Sequence, residues 1–120
     1  MAHDIGYAEL HSQDPKRAGT FYAELFGWKT ATQATPMGEY TEIDTGGGIP
    51  AGLWRPPFAG DASYWTPYVN VPQLEAALER ATRLGAKLVM PRATVPDMGH
   101  YAVLRDPTGG VFGLFERMAR

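Results

Sequence analysis

Two stretches of the chain place apolar residues at helical spacing. In the first, Ala18, Phe21, Tyr22, Leu25 and Phe26 share a stripe. Asp14 precedes it as a side-chain cap, and Pro15 stands at the first helical position, where its missing N–H costs nothing. Gly27 is placed to end the helix in the left-handed conformation. The second stretch, Pro72–Leu84, carries Leu74, Ala77, Leu78, Ala81 and Leu84 on one face, with Glu75, Glu79, Arg80 and Arg83 outside. Gly85 is its stop. These patterns predict helices over 15–26 and 72–84.

Elsewhere the pattern is of short strands. Ile5–His11 alternates, with Ala8 and Leu10 on one face and Tyr7, Glu9 and His11 on the other. Strands are also predicted at Trp28–Thr32, Tyr40–Thr45, Pro50–Trp54, Thr66–Val71, Lys87–Met90, His100–Arg105 and Val111–Glu116. Pro36-Met37-Gly38 and Gly46-Gly47-Gly48 separate three of them as turns. The element order is βαβββ, a connection, then βαβββ.

That order is an internal repeat. Gly27-Trp28-Lys29 matches Gly85-Ala86-Lys87 at an offset of 58, and Met37-Gly38-Glu39-Tyr40 matches Met98-Gly99-His100-Tyr101 at an offset of 61. Ala51-Gly52-Leu53-Trp54 matches Phe112-Gly113-Leu114-Phe115 at that second offset, so three extra residues in one loop account for the change. Module one is expected over about 4–55 and module two over about 64–117, together one domain spanning 1–120. Pro56-Pro57-Phe58-Ala59-Gly60 connects them and is too short and apolar for a free linker.

Local wording adds to the repeat. FYAELFGW at 21–28 is similar to a known first-helix ending. Arg105-Asp106-Pro107-Thr108-Gly109-Gly110 followed by Val-Phe-Gly-Leu-Phe-Glu is similar to a known last hairpin. With the tandem βαβββ order, they resemble the vicinal oxygen chelate superfamily, which includes glyoxalase I, the bleomycin-resistance proteins and the extradiol dioxygenases. The resemblance covers residues 5–116. It implies an α+β fold in which two tandem βαβββ modules form a curled, open-barrel mixed sheet, with helices outside and a shared cavity inside.

Given that fold, strand parity assigns Tyr7, Glu9 and His11, then Tyr40, Glu42, Gly52 and Trp54, to the cavity face of the first module. Thr66, Tyr68 and Asn70, then Tyr101, Val103, Gly113 and Phe115, take the matching places in the second. Relatives that use a metal hold it with imidazole or carboxylamide groups early in each first strand and a carboxylate in each last strand. The resemblance puts those positions at Tyr7, Gly52, Thr66 and Gly113, which lack the imidazole and carboxylate donors zinc or iron requires. No metal and no cofactor is therefore expected. Gly52 and Gly113 are expected to leave open space instead.

Composition narrows the remaining chemistry. Gly (14) and Pro (10) make one-fifth of the 120 residues, which fits many tight turns. Cysteine is absent, excluding disulfides, thiolate metal sites and a cysteine nucleophile. A net charge of −2 argues against nucleic acid, and no apolar run is long enough for a membrane span. The polar, acidic start Met-Ala-His-Asp reads as no signal peptide, so a cytoplasmic location is expected. Gly46-Gly47-Gly48 lacks the Lys-Ser/Thr and helix of a phosphate loop, and Arg105-Asp106-Pro107 opens a turn.

Three functions remain open, one of them a partner-binding module whose apparent cavity is filled by its own side chains. The aromatic side chains of Tyr7, Tyr40, Trp54, Tyr68, Tyr101 and Phe115 suit stacking on a small aromatic or hydrophobic ligand, bound and sequestered as in the bleomycin-resistance branch; core packing explains any one of them alone. Alternatively, Glu9 is an acid/base with His11 or Tyr7 in a metal-independent lyase or isomerase of secondary metabolism. Solvation at a barrel mouth, or pairing with Arg55 or Arg105, would instead make Glu9 and His11 structural. Pairing into a homodimer is a further expectation from the resemblance.

Overall fold

The computed structural model describes residues 3–58 and 60–118. The first two residues of the polar start and Ala59 of the connection lie outside them. The elements are β1 (Ile5–His11), α1 (Pro15–Phe26), β2 (Lys29–Thr35), β3 (Gly38–Asp44), β4 (Ala51–Trp54), β5 (Tyr64–Asn70), α2 (Leu74–Arg83), β6 (Lys87–Val95), β7 (Gly99–Arg105) and β8 (Val111–Arg117). The hydrogen-bonded strand order is β2-β3-β4-β1-β5-β8-β7-β6, a mixed sheet. The α+β architecture of two tandem βαβββ modules is the one observed. Among the described residues no helix is long and apolar enough to cross a membrane.

Contacts divide the chain into a unit of residues 7–66 and a second of residues 1–6 and 67–120. In the 7–66 unit, α1 begins and ends as its sequence dictates. The Asp14 carboxylate accepts the Arg17 N–H at 3.2 Å, and Gly27 adopts φ 74° while donating its N–H to Ala23. The helix packs Ala18 and Tyr22 onto Leu10, Ile43, Ala51 and Leu53. β1 runs parallel to β4, pairing Glu9 with Gly52 and His11 with Trp54. β3 runs antiparallel to β4, pairing Tyr40 with Trp54 and Glu42 with Gly52. Gly46 and Gly48 take φ of 91° and 68° in the turn between β3 and β4, which is why glycine stands there. The Gln13 N–H donates to Ser63 at 3.0 Å, and its amide reaches the Gly60 carbonyl, so the connection is tied to the end of β1.

The second unit repeats this plan. β5 runs parallel to β8, pairing Tyr68 with Gly113 and Asn70 with Phe115. Leu74, Ala77, Leu78 and Ala81 of α2 pack onto Val71, Ala102, Leu104 and Leu114. Asp106 opens the β7–β8 turn by accepting from the Thr108 hydroxyl and the Thr108 and Gly110 amides. Those bonds, the Thr108 hydroxyl foremost, hold its carboxyl below the usual carboxylate range. His100 Nδ1 lies 2.8 Å from the Thr94 hydroxyl across the β6–β7 ladder.

Two element boundaries differ from the sequence pattern. α2 starts at Leu74, not Pro72, because its first free N–H is capped from a distance: Leu74 donates to the Glu116 carboxylate of β8 at 2.6 Å. β6 continues past Pro91 to Val95, with register shifts between Leu88 and Met90 and between Met90 and Ala93. It is a terminal strand of the order, where a residue without an N–H removes no second ladder.

Candidate functional site

The alternating face of β1 carries Tyr7, Glu9 and His11, and the 7–66 unit closes a polar network around them. Glu9 is its centre. Its Oε1 lies 2.7 Å from His11 Nε2 and accepts Trp54 Nε1–H at 2.9 Å. Its Oε2 accepts the Tyr40 hydroxyl at 2.7 Å, and Tyr40 in turn bonds the Tyr7 hydroxyl. At the other end, His11 Nδ1 lies 3.1 Å from Thr66 Oγ1. A carboxylate can only accept, so His11 donates through Nε2–H. In the neutral imidazole Nδ1 then accepts from the Thr66 hydroxyl.

Burial is deep at this centre. His11 and Thr66 are 0% exposed, and Glu9 is 6% exposed. The His11 ring meets Phe58 and Tyr64 edge-on, each with centroids 5.3 Å away, and Trp54 at 6.4 Å. Glu9 and His11 are not solvated at a mouth; they are buried and bond each other. Burial, with the Glu9 charge adding to it, pushes the Tyr40 phenol far above its ordinary value. Burial also raises the Tyr7 phenol, by more than its bond to Tyr40 lowers it. Both phenols therefore stay protonated at neutral pH.

The glycines correct one expectation. No open space lies over Gly52 or Gly113. A Cβ at Gly52 would overlap the Tyr40 and Tyr7 hydroxyls, and one at Gly113 would overlap the Tyr68 ring. Glycine at these positions lets a tyrosine from a neighbouring strand lie directly on the backbone. The same holds at Gly6, covered by the Asn70 amide.

The other sequence candidates fall as follows. Glu42 is exposed, with the Gln33 amide 3.5 Å away. In the second unit Tyr68 is buried and meets Tyr101 edge-on at 6.0 Å, while Phe115 pairs with Tyr101 across β7 and β8. Asn70 anchors β1, donating its backbone N–H to Asp4 at 2.9 Å and its amide to the Asp4 carboxylate at 3.1 Å. Val103 is fully buried.

Two residues of the site escaped the sequence reading. Phe58 sits in the connection, where no periodicity applies. Tyr64 shares the parity of Thr66, but the strand pattern began at Thr66 and left it out. Among the described residues, the Tyr64 hydroxyl is a buried polar atom with no hydrogen-bond partner.

The metal that the fold family implies does not fit these residues. Thr66 is engaged by His11, Tyr7 offers a phenol held by Tyr40, and tyrosines occupy the space over both glycines. Among the described residues no three His, Asp or Glu side chains converge.

Comparison with known proteins agrees with the fold. A glyoxalase-like domain family profile matches residues 8–115. CFP32 of Mycobacterium tuberculosis, which carries a glyoxylase name, is 28% identical over 109 residues, covering 90% of this chain and 42% of its own. The anthracycline biosynthesis protein DnrV of Streptomyces peucetius is 27% identical over 124 residues, covering 91% of this chain and 45% of its own. The chain thus spans less than half the length of these curated relatives. Among solved structures, methylmalonyl-CoA epimerase of Mycobacterium tuberculosis superposes with a TM-score of 0.70 at 15% identity, over 96% of this chain and 88% of that one. That likeness shows the vicinal oxygen chelate fold alone. On its sequence match and its topology, the chain belongs to the glyoxalase-like domain family.

Proposed function

We propose that this chain binds a small aromatic or hydrophobic molecule carrying one polar group, and holds it without transforming it. The observation that carries this reading is the Tyr64 hydroxyl, buried without a partner on a residue whose ring meets His11 edge-on, the same imidazole that Phe58 and Trp54 contact. A buried hydroxyl left unpaired costs about 1–3 kcal/mol, so a ligand donor or acceptor reaching it recovers that cost. Glu9, by contrast, already has three donors of its own unit on its two oxygens, a state suited to holding shape. The relative named for anthracycline biosynthesis supports a polycyclic aromatic ligand. Binding proceeds without a metal, since the donor set at the family's metal positions does not suit one.

Titration with an anthracycline, followed by tryptophan fluorescence, tests this reading. Saturable quenching is expected, with the ligand recovered chemically unchanged. Tyr64→Phe is expected to weaken binding at least ~tenfold while raising stability by about 1 kcal/mol, since it deletes the unpaired hydroxyl. Altered ligand, formed in proportion to protein, would sink sequestration.

The buried 2.7 Å contact between His11 and Glu9 favours one second reading, a metal-independent lyase or isomerase with Glu9 as the acid/base. In that case Glu9→Gln abolishes turnover and leaves binding nearly intact. Unchanged turnover would remove it.

A further inference from the structure

The two helices of the repeat carry their charges at opposite ends. In α2, Glu75 lies in the first turn and Arg80 and Arg83 toward the last, as the helix dipole favours. In α1, Lys16 and Arg17 lie in the first turn and Glu24 in the last, against the dipole. The exposed surfaces differ too. The outer face of α2 carries the Glu79–Arg83 pair at 3.7 Å. Among the described residues none of α1 is buried, and Phe21, Leu25 and Phe26 are each 57% exposed.

These features lie together. Arg17, Phe21 and Glu24 are spaced by four and three residues and so share one face, with Leu25 beside them. A groove of about 480 Å³ lined by Asp14, Lys16, Arg17, Thr20 and Phe21 runs along its first half. The apolar surface continues through Tyr22, which meets Trp65 at 5.4 Å; Trp65 is itself exposed. A contiguous exposed apolar patch of this kind marks an interaction surface.

We propose that α1 is a docking surface for a second copy of this chain, with the two α1 helices packed antiparallel about a two-fold axis near Thr20 and Phe21. Such an axis sets Arg17 of each copy opposite Glu24 of the other, twice over, because a two-fold interface repeats every contact. The two Phe21 rings meet near the axis, and each Leu25 enters the groove beside Lys16 and Arg17 of the other copy. Charges that oppose the dipole within one helix are matched across the pair, and the two dipoles themselves run antiparallel. Charge complementarity thus selects another copy of this surface over an unrelated apolar partner.

Sedimentation velocity over a roughly hundredfold concentration range tests this, using the full chain and two charge reversals. The native chain is expected to dimerise. Arg17→Glu alone and Glu24→Arg alone each set like charges opposite one another, and each is expected to weaken self-association by at least ~tenfold. An equimolar mixture of the two variants is expected to recover the dimer, because every facing pair is again of opposite sign. Both reversals move charge to the dipole-favoured end, so thermal melting is expected to hold or rise, which separates lost association from lost folding. A native chain that stays monomeric throughout would overturn the proposal and leave the face to another partner. Single variants that dimerise as well as the native chain, or a mixture that does not recover, would overturn it equally.

Discussion

Nε2 of His11 lies 2.7 Å from Oε1 of Glu9, two residues along the same face of β1, with both side chains buried. Trp54 and Tyr40 also donate to that carboxylate. A glutamine at position 9 can keep its oxygen toward His11 and Trp54 and turn its amide to Tyr40, whose hydroxyl can rotate to accept. Glu9→Gln is therefore expected to cost only about 1 kcal/mol. Glu9→Leu strands every donor and should cost about 3–5 kcal/mol. Urea unfolding of the two variants separates them.

Gly52 lies under the Tyr7 and Tyr40 hydroxyls. Gly52→Ala must push Tyr40 off Glu9, and an expected loss of about 2–3 kcal/mol follows from overpacking. Gly47 has nothing within 4 Å of where a Cβ would stand, so Gly47→Ala should fall within about 0.5 kcal/mol of the native chain. Equal effects at the two positions, measured as shifts in the unfolding midpoint, would contradict the packing described.

Thr66 holds His11 through its hydroxyl. Thr66→Val keeps the shape and orphans Nδ1, with an expected cost of about 1–3 kcal/mol. Thr66→Ser keeps the hydroxyl, and should retain the His11 tautomer with its proton on Nε2. Nitrogen NMR of the imidazole reads the difference directly: the Nδ1 resonance should move in the valine variant and stay in the serine variant.

Burial raises the Tyr7 and Tyr40 phenols above their ordinary value of 10.0. In the unfolded chain they ionise near that value, whereas in the folded chain they stay protonated. The unfolded state thus binds fewer protons above about pH 10, and stability falls as pH rises from there. Each phenol contributes a slope of up to about 1.4 kcal/mol per pH unit, absent below pH 10. Absorbance at the tyrosinate band should show these groups ionising only with unfolding. Tyr7→Phe and Tyr40→Phe should each flatten the alkaline slope, and an unchanged slope would refute the assignment.

Local rules made much of this protein legible. Asp14, Pro15 and Gly27 bound α1 because caps and left-handed stops act within a few residues. The alternation of β1 put Tyr7, Glu9 and His11 on one face and Leu10 under the helix because strand parity leaves only two faces. The repeat matched Gly52 with Gly113, and their equivalent partners across the parallel ladders, Glu9 and Tyr68, bear that out. The cap on α2 was hidden, because Glu116 lies 42 residues beyond Leu74. So was the strand beyond Pro91, since nothing local says that β6 ends the sheet.

The sequence by itself determined the helices, the two βαβββ modules and the face each β1 side chain takes, since caps, periodicity and repeats are properties of neighbouring residues. What fills the space over a glycine was decided only by tertiary structure. Parity orients a side chain but does not limit its reach, and the Tyr7 and Tyr40 hydroxyls arrive over Gly52 from two different strands. The same physics made Glu9 a shared acceptor rather than a solvated acid: its three donors come from β1, β3 and β4 and meet only when the sheet has formed.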